Sequence, residues 1–179
     1  FAHESGTSRV NPQNIFLAKK LRKYFYGTLV GGLLTQKEDR DYKNRFEIPL
    51  LTSRLKELFK WTKAQKAATN LPIALFGIDT GAAAALNITS EFKGKIAAIV
   101  CHGGRVDLAS KKLSEIECPI LLIVGEKDKL VLNLNEKAFE QLETDKKLRE
   151  IDKAYHNFEK SGVFEKVIES TIKWFDKQL

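Results

Sequence analysis

"LPIALFGIDTGAAAAL", Leu71–Leu86, joins an apolar run to an alanine-rich segment through a turn bracketed by two glycines. The run Pro72–Phe76 is short, apolar and without alternation, the pattern of a parallel strand covered on both faces. Gly77 and Gly81 remove the side chains that would clash where the chain reverses. The alanines let the following helix pack close to the sheet. The stretch reads as strand, sharp turn, helix, with Asp79 at the carboxyl end of a central strand. There it adjoins the amide groups of the helix start, including that of Thr80, a setting that stabilises an anion. Taken alone, the stretch fits equally a plain connection in which Asp79 caps the helix.

Working outward, short β-type runs alternate with amphipathic segments, which predicts an α/β layer architecture. Strands are expected at Tyr26–Leu33, Pro72–Phe76, Ile96–Cys101, Ile120–Val124 and Leu148–Ile151, and "FAH" at the start reads as the stub of another. Helices are expected over "NPQNIFLAKKLRKY", with Asn11 as N-cap and Pro12 at the first helical position. A second, "IPLLTSRLKELFKWTKAQKAAT", places Leu51, Leu55, Leu58 and Phe59 on one face. "TGAAAALNIT", "NEKAFEQLE" and "VFEKVIESTIKWFDKQL" complete the set. No repeat, low-complexity tract or linker interrupts them, so residues 1–179 read as one α/β domain. The chain holds no Met and opens on "FAHESG", read as the end of a strand; the first strands and the natural N-terminus are therefore expected to be missing.

Composition narrows the function. With 179 residues, 43% hydrophobic and 30% charged, the chain has the make-up of a soluble globular protein. No apolar stretch approaches the roughly 20 residues that span a bilayer, so the chain is not transmembrane. Cys101 and Cys118 are too few for a disulfide framework and stand outside any metal-ligand spacing. A reduced compartment, cytoplasm or organelle matrix, is expected, with both thiols acting as small buried hydrophobes. The net charge of +7 is spread through mixed-sign segments such as "KEDRDYKNR", without aromatic-interleaved basic stripes. Nucleic acid is an unlikely partner on that ground; a basic surface facing an acidic protein or an anionic membrane fits the charge. No metal cluster, phosphate-cradling loop or dinucleotide fingerprint appears, so no metal and no cofactor are expected.

Two further stretches supply partners for Asp79. "LLIVGEKDKLV" is an apolar strand followed by Gly125 and Asp128; "DKAYHNFEKSG" puts His156 on a loop between the last strand and the last helix. The order nucleophile, acid, histidine is that of an α/β-hydrolase triad. Together with "FAHESGTSR", "NRFEIPLLTSRL", "HGGRVDLA", "CPILLIVGEKD" and "VLNLNEKAF", these phrases resemble the dienelactone-hydrolase-related branch of the α/β-hydrolases over essentially the whole chain. The resemblance implies a mostly parallel sheet flanked by helices, without a cap domain. It assigns the acid to Asp128, the base to His156 and the nucleophile position to Asp79.

Two departures fall at the implied chemical centre. Asp79 stands where the family has Ser or Cys, and Glu4, in "HESG", stands where the oxyanion loop has glycine. Both negative charges would oppose an oxyanion. One reading is therefore a catalytically altered or inactive hydrolase fold that serves as a structural or binding subunit of a larger assembly, with protein partners. The other is an active hydrolase of a small ester, lactone or alkyl substrate, with an Asp79–His156–Asp128 triad and with Glu4 and Thr80 bordering the pocket. Alkyl attack by an Asp at this turn occurs in haloalkane dehalogenases and epoxide hydrolases. Those enzymes carry a helical cap, for which the span between Cys101 and Ile120 has no room. The departures favour the first reading. His102 lies at a strand end beside the pocket and reads as a loop histidine in preference to a second base; Arg105 reads as a structural partner of Asp107 or a loop carbonyl in preference to a substrate carboxylate. His156, between two carboxylates, is expected to gain a proton readily.

Overall fold

Strand residues on one face of the sheet, Leu75, Ile99, Cys101, Ile120 and Leu122, pack into one apolar layer; their neighbours Phe76, Ala98, Val100, Leu121 and Ile123 pack into another. A strand buried on both faces cannot alternate apolar with polar residues, which is why these segments read as unbroken hydrophobic runs. The computed structural model describes residues 1–3, 6, 8–109, 113–156, 158 and 162–179. Its sheet has six strands, all parallel, in the order β2-β1-β3-β4-β5-β6. They are β1 (Ala2–His3), β2 (Gly31–Gly32), β3 (Ala74–Ile78), β4 (Ala98–His102), β5 (Ile120–Gly125) and β6 (Lys146–Ile151).

Helices cover both faces. The helices α2 (Ile48–Ala64), α3 (Thr80–Ile88) and α4 (Lys129–Gln141) pack on the Leu75 side; α1 (Pro12–Lys23) and α5 (Val163–Gln178) pack on the Phe76 side. Asn11 caps α1 through its Oδ1, which accepts from the amides of Gln13 at 2.9 Å and Asn14 at 3.2 Å, with Pro12 next to it as the sequence implies. Every residue of α3 is buried between the sheet and α2, a position only small side chains can occupy along most of its length. No helix is long and apolar enough to cross a membrane among the described residues.

Several boundaries differ from the sequence expectation. The run 26–33 yields only Gly31–Gly32 as strand, because β1 offers only Ala2 and His3 as pairing partners. Its beginning is drawn instead into the end of α1: the Tyr26 amide donates to Leu21 O at 3.2 Å, after Phe25 has turned to φ +64°. The helix expected from Asn135 starts at Lys129, where the Asp128 carboxylate accepts from the Val131 amide at 3.4 Å. β3 and β4 each run two residues or one residue further than expected, to Ile78 and His102, which carries both strands up to the turns that matter for chemistry. Cys101 is buried as expected, whereas Cys118 is only partly covered.

Candidate functional site

Asp79 follows β3 directly and sits at φ +47°, ψ −123°, a backbone region that non-glycine residues seldom enter. The turn is held from three sides. Its amide donates to His102 O at 3.3 Å, and its carbonyl accepts from the amides of Ala82 at 3.1 Å and Arg105 at 3.0 Å. The flanking glycines have steric reasons to be there. A Cβ on Gly77 would come within 2.6 Å of Ala82 Cα, and one on Gly81 within 2.1 Å of Ala2 O. The Asp79 side chain makes no capping bond to α3, so the plain capping alternative does not hold.

The other two members of the set come from neighbouring strand ends. Gly125 closes β5 against the backbone of Ala154, where a Cβ would meet the carbonyl oxygen at 2.6 Å; this close approach brings the Asp128 loop and the His156 loop together. Lys127 donates its amide to Ala154 O at 2.8 Å. Asp128 Oδ2 then lies 2.7 Å from His156 Nδ1, and Asp79 Oδ2 lies 3.8 Å from His156 Nε2. The structure thus brings Asp79, Asp128 and His156 to one edge of the sheet. The first contact is a charge-assisted hydrogen bond and the second an ion pair.

Electrostatics follow from that sandwich. The Asp79 carboxylate first, then Asp128, favours the protonated imidazole over the opposing effect of partial burial, and the His156 pKa rises to about 9. Thr80 is buried, and its hydroxyl donates to Arg45 O at 2.6 Å; its side chain is spent on structure, so only its amide faces a role at the helix start. Arg105 forms a two-pronged pair with Asp107, with both contacts at 2.9 Å. Glu4 lies outside the described residues. No group of three or more His, Cys, Asp or Glu side chains suited to a metal ion occurs among the described residues.

His102 stands at a strand end as expected, as the last residue of β4. It is buried among Phe76, Phe158 and Phe164, which a loop histidine would not be. Burial, with smaller contributions from the charges of His156 and His3, pushes its pKa down to about 3, so the ring stays neutral. The sequence signal was present, since "IAAIVCH" continues the apolar run up to the histidine. The connection after β4 carries short 3-10 turns at Val106–Leu108 and Leu113–Glu115, with no cap helix among its described residues. An apolar groove of about 420 Å³, lined by Leu58, Trp61, Leu71, Ile73 and Phe175 among others, touches none of Asp79, Thr80, Asp128 and His156.

A parallel sheet with a strained strand-to-helix turn, and an acid and a histidine on later strand ends, defines the α/β-hydrolase class. The chain belongs to the dienelactone hydrolase family, whose pattern it matches over residues 27–176. Its structure superposes on the crystal structure of dienelactone hydrolase from Anabaena variabilis with a TM-score of 0.90, at 39% identity over 100% of this chain and 85% of that one. Est1E from Butyrivibrio proteoclasticus shares the fold at a TM-score of 0.74 with 10% identity, over 94% of this chain and 82% of Est1E. Among curated proteins, one from Mycobacterium tuberculosis strain H37Rv, named "Putative phosphoribosyl transferase", is 39% identical over 175 residues. That alignment takes in 98% of this chain and 40% of the relative, and the counterpart in strain CDC 1551 matches equally. The chain thus spans about two fifths of the length of these curated relatives.

Proposed function

We propose that this is a dienelactone-hydrolase domain in which Asp79 has replaced the usual nucleophile and serine-type acyl transfer has been given up, the domain acting as a structural or binding subunit of a larger assembly. The observation that carries this reading is the Asp79–His156 ion pair at 3.8 Å. In serine-type chemistry the histidine must be neutral to take the nucleophile's proton. With a pKa of about 9, only about one His156 in a hundred is neutral at pH 7. The Asp79 charge also opposes an oxyanion. At an effective dielectric near 20, like charges about 4 Å apart repel by about 4 kcal/mol, roughly a thousandfold in rate. The mycobacterial relatives support the assembly part of the reading: there the matching region is a minor part of a polypeptide named for phosphoribosyl transfer. A phosphoribosyl-transferring unit is accordingly the proposed companion.

A panel of p-nitrophenyl esters tests the proposal. The wild type is expected to show no turnover above background, with His156→Ala no different. Asp79→Ser, alone or with Glu4→Gly, is expected to gain activity. Wild-type turnover that His156→Ala abolishes would sink the proposal.

One observation favours a second reading. Asp79 holds the strained backbone conformation of a strand-to-helix turn that presents its side chain for attack. In this reading an Asp79 oxygen attacks a saturated carbon of a small alkyl substrate, and the leaving group departs with the bonding pair. Esterification cancels the Asp79 charge, so His156 loses its main source of proton affinity, gives up its proton to the leaving group or solvent and, now neutral, can take one from water. The hydroxide adds to the Asp79 carboxyl carbon, the alcohol leaves, and the carboxylate returns. Single turnover in water labelled with oxygen-18 would place the label in Asp79; its absence with a broad alkyl halide and epoxide panel rules this reading out.

A further inference from the structure

The buried His102 is linked to both halves of the Asp79–His156 pair. On one side its backbone carbonyl accepts from the Asp79 amide at 3.3 Å. On the other its ring lies 4.3 Å, centroid to centroid, from the ring of Phe158. Phe158 closes the turn that holds His156: its amide donates to Tyr155 O at 3.2 Å. It does so at φ +53°, a conformation that costs an aromatic residue of order 1–3 kcal/mol unless packing compensates. The compensation is visible. Phe158 is buried in the apolar layer of Phe76, Val163 and Phe164, with the His102 ring against it. Next in the chain, Gly103 takes φ +54°, a conformation that favours glycine, and packs beside the His156 ring, where a Cβ would make ordinary contact with Cε1 at 3.6 Å. Two consecutive residues, His102 and Gly103, therefore set the floor and the wall of the His156 turn and anchor the Asp79 turn.

We propose that His102 is a positioning residue for the Asp79–His156 pair, acting through the Phe158 ring on one side and the Asp79 amide on the other. The arrangement needs a flat neutral ring at this position. A charged one would stand against the His156 imidazolium and leave a bare cation among phenylalanines. Nε2 of His102 has no hydrogen-bond partner among the described residues, and three phenylalanine rings lie against the imidazole. The inference concerns the geometry of the pair and holds whether or not the pair turns over a substrate.

The test is the titration of His156 by NMR, with Asp79, Asp128 and the neighbouring His102 as the groups that bear on it. The wild type should titrate near 9. His102→Phe keeps a flat apolar ring and should leave that midpoint in place. His102→Ala frees Phe158, lets the turn relax and should lower the midpoint by about one pH unit or more. Phe158→Leu removes the same stacking from the other side and should act alike, which covers the case in which His102→Ala does not fold. A folded His102→Ala or Phe158→Leu protein with an unchanged His156 midpoint overturns the proposal. So does the absence of a nuclear Overhauser contact between the His102 and Phe158 rings in the wild type, which decides the matter even if both variants unfold.

Discussion

Asp79 holds its backbone in a region where a side chain costs about 1–3 kcal/mol, yet it gains no capping bond in exchange. Its remaining contribution is the ion pair with His156, and a half-exposed pair of this kind is worth little. Asp79→Gly is therefore expected to raise stability, by about 1 kcal/mol, read as a higher urea midpoint at unchanged slope. Asp79→Asn keeps the strain and removes only the charge, so it should lower the His156 titration midpoint from about 9 and, with it, slightly lower the urea midpoint at neutral pH. If Asp79→Gly destabilises the protein, the turn is not strained in the sense argued. The place of Asp79 at a tight turn was legible in the sequence, because only Gly-x-Asp-x-Gly between an apolar run and an alanine run demands that geometry. The 3.8 Å approach of His156 was not, since it depends on Gly125 meeting Ala154, a contact between segments that no local pattern links.

At the level of elements, the close seat of α3 against the sheet decides where the site lies. The helix fits because Gly81 faces the carbonyl of Ala2 in β1 and Gly77 faces Ala82. Gly81→Ala puts a carbon 2.1 Å from that carbonyl oxygen, and a backbone neighbour cannot step aside as a flexible side chain could. A loss of about 1–3 kcal/mol is expected, the usual range for overpacking, measured as a drop in melting temperature. Gly94→Ala tests the opposite case: its surroundings are open, and only its φ of +68° opposes a side chain, so its cost should be the smaller of the two. The strands β3, β4 and β5 were legible as apolar runs because both their faces are covered. β2 was not. "YGTLVGGL" has strand composition throughout, but pairing requires a neighbour, and β1 supplies two residues. The start of α4 was missed for another reason. Asp128 was read as a loop acid, and its second role, accepting from the Val131 amide, extends the helix back to Lys129.

Across the whole molecule, the two described histidines with shifted pKa values pull in opposite directions, and their sum shapes the pH range of the fold. His102 titrates near 3 when folded, below the ordinary 6.5 of an unfolded chain. Its contribution is complete above about pH 6.5 and is lost as pH falls towards 3, because the unfolded chain binds the proton first. His156 titrates near 9 when folded, above the same reference. Its contribution is complete below about pH 6.5 and is lost as pH rises through 9. Half of the His156 side chain is exposed, so solvent screening makes the alkaline limb the shallower one. Stability should therefore peak near neutrality and fall more steeply on the acid side, where Glu38, Glu91, Glu126 and Asp145, all held below the usual carboxylate range by their partners, add to the loss. Variants separate the contributions. Urea unfolding from pH 4 to 10 should show His102→Phe with a flatter acid limb and an unchanged alkaline limb, and His156→Gln with the reverse. An acid limb identical in wild type and His102→Phe would mean that the ring does not stay neutral on folding, and the account of a neutral wedge beneath the His156 turn would fall with it.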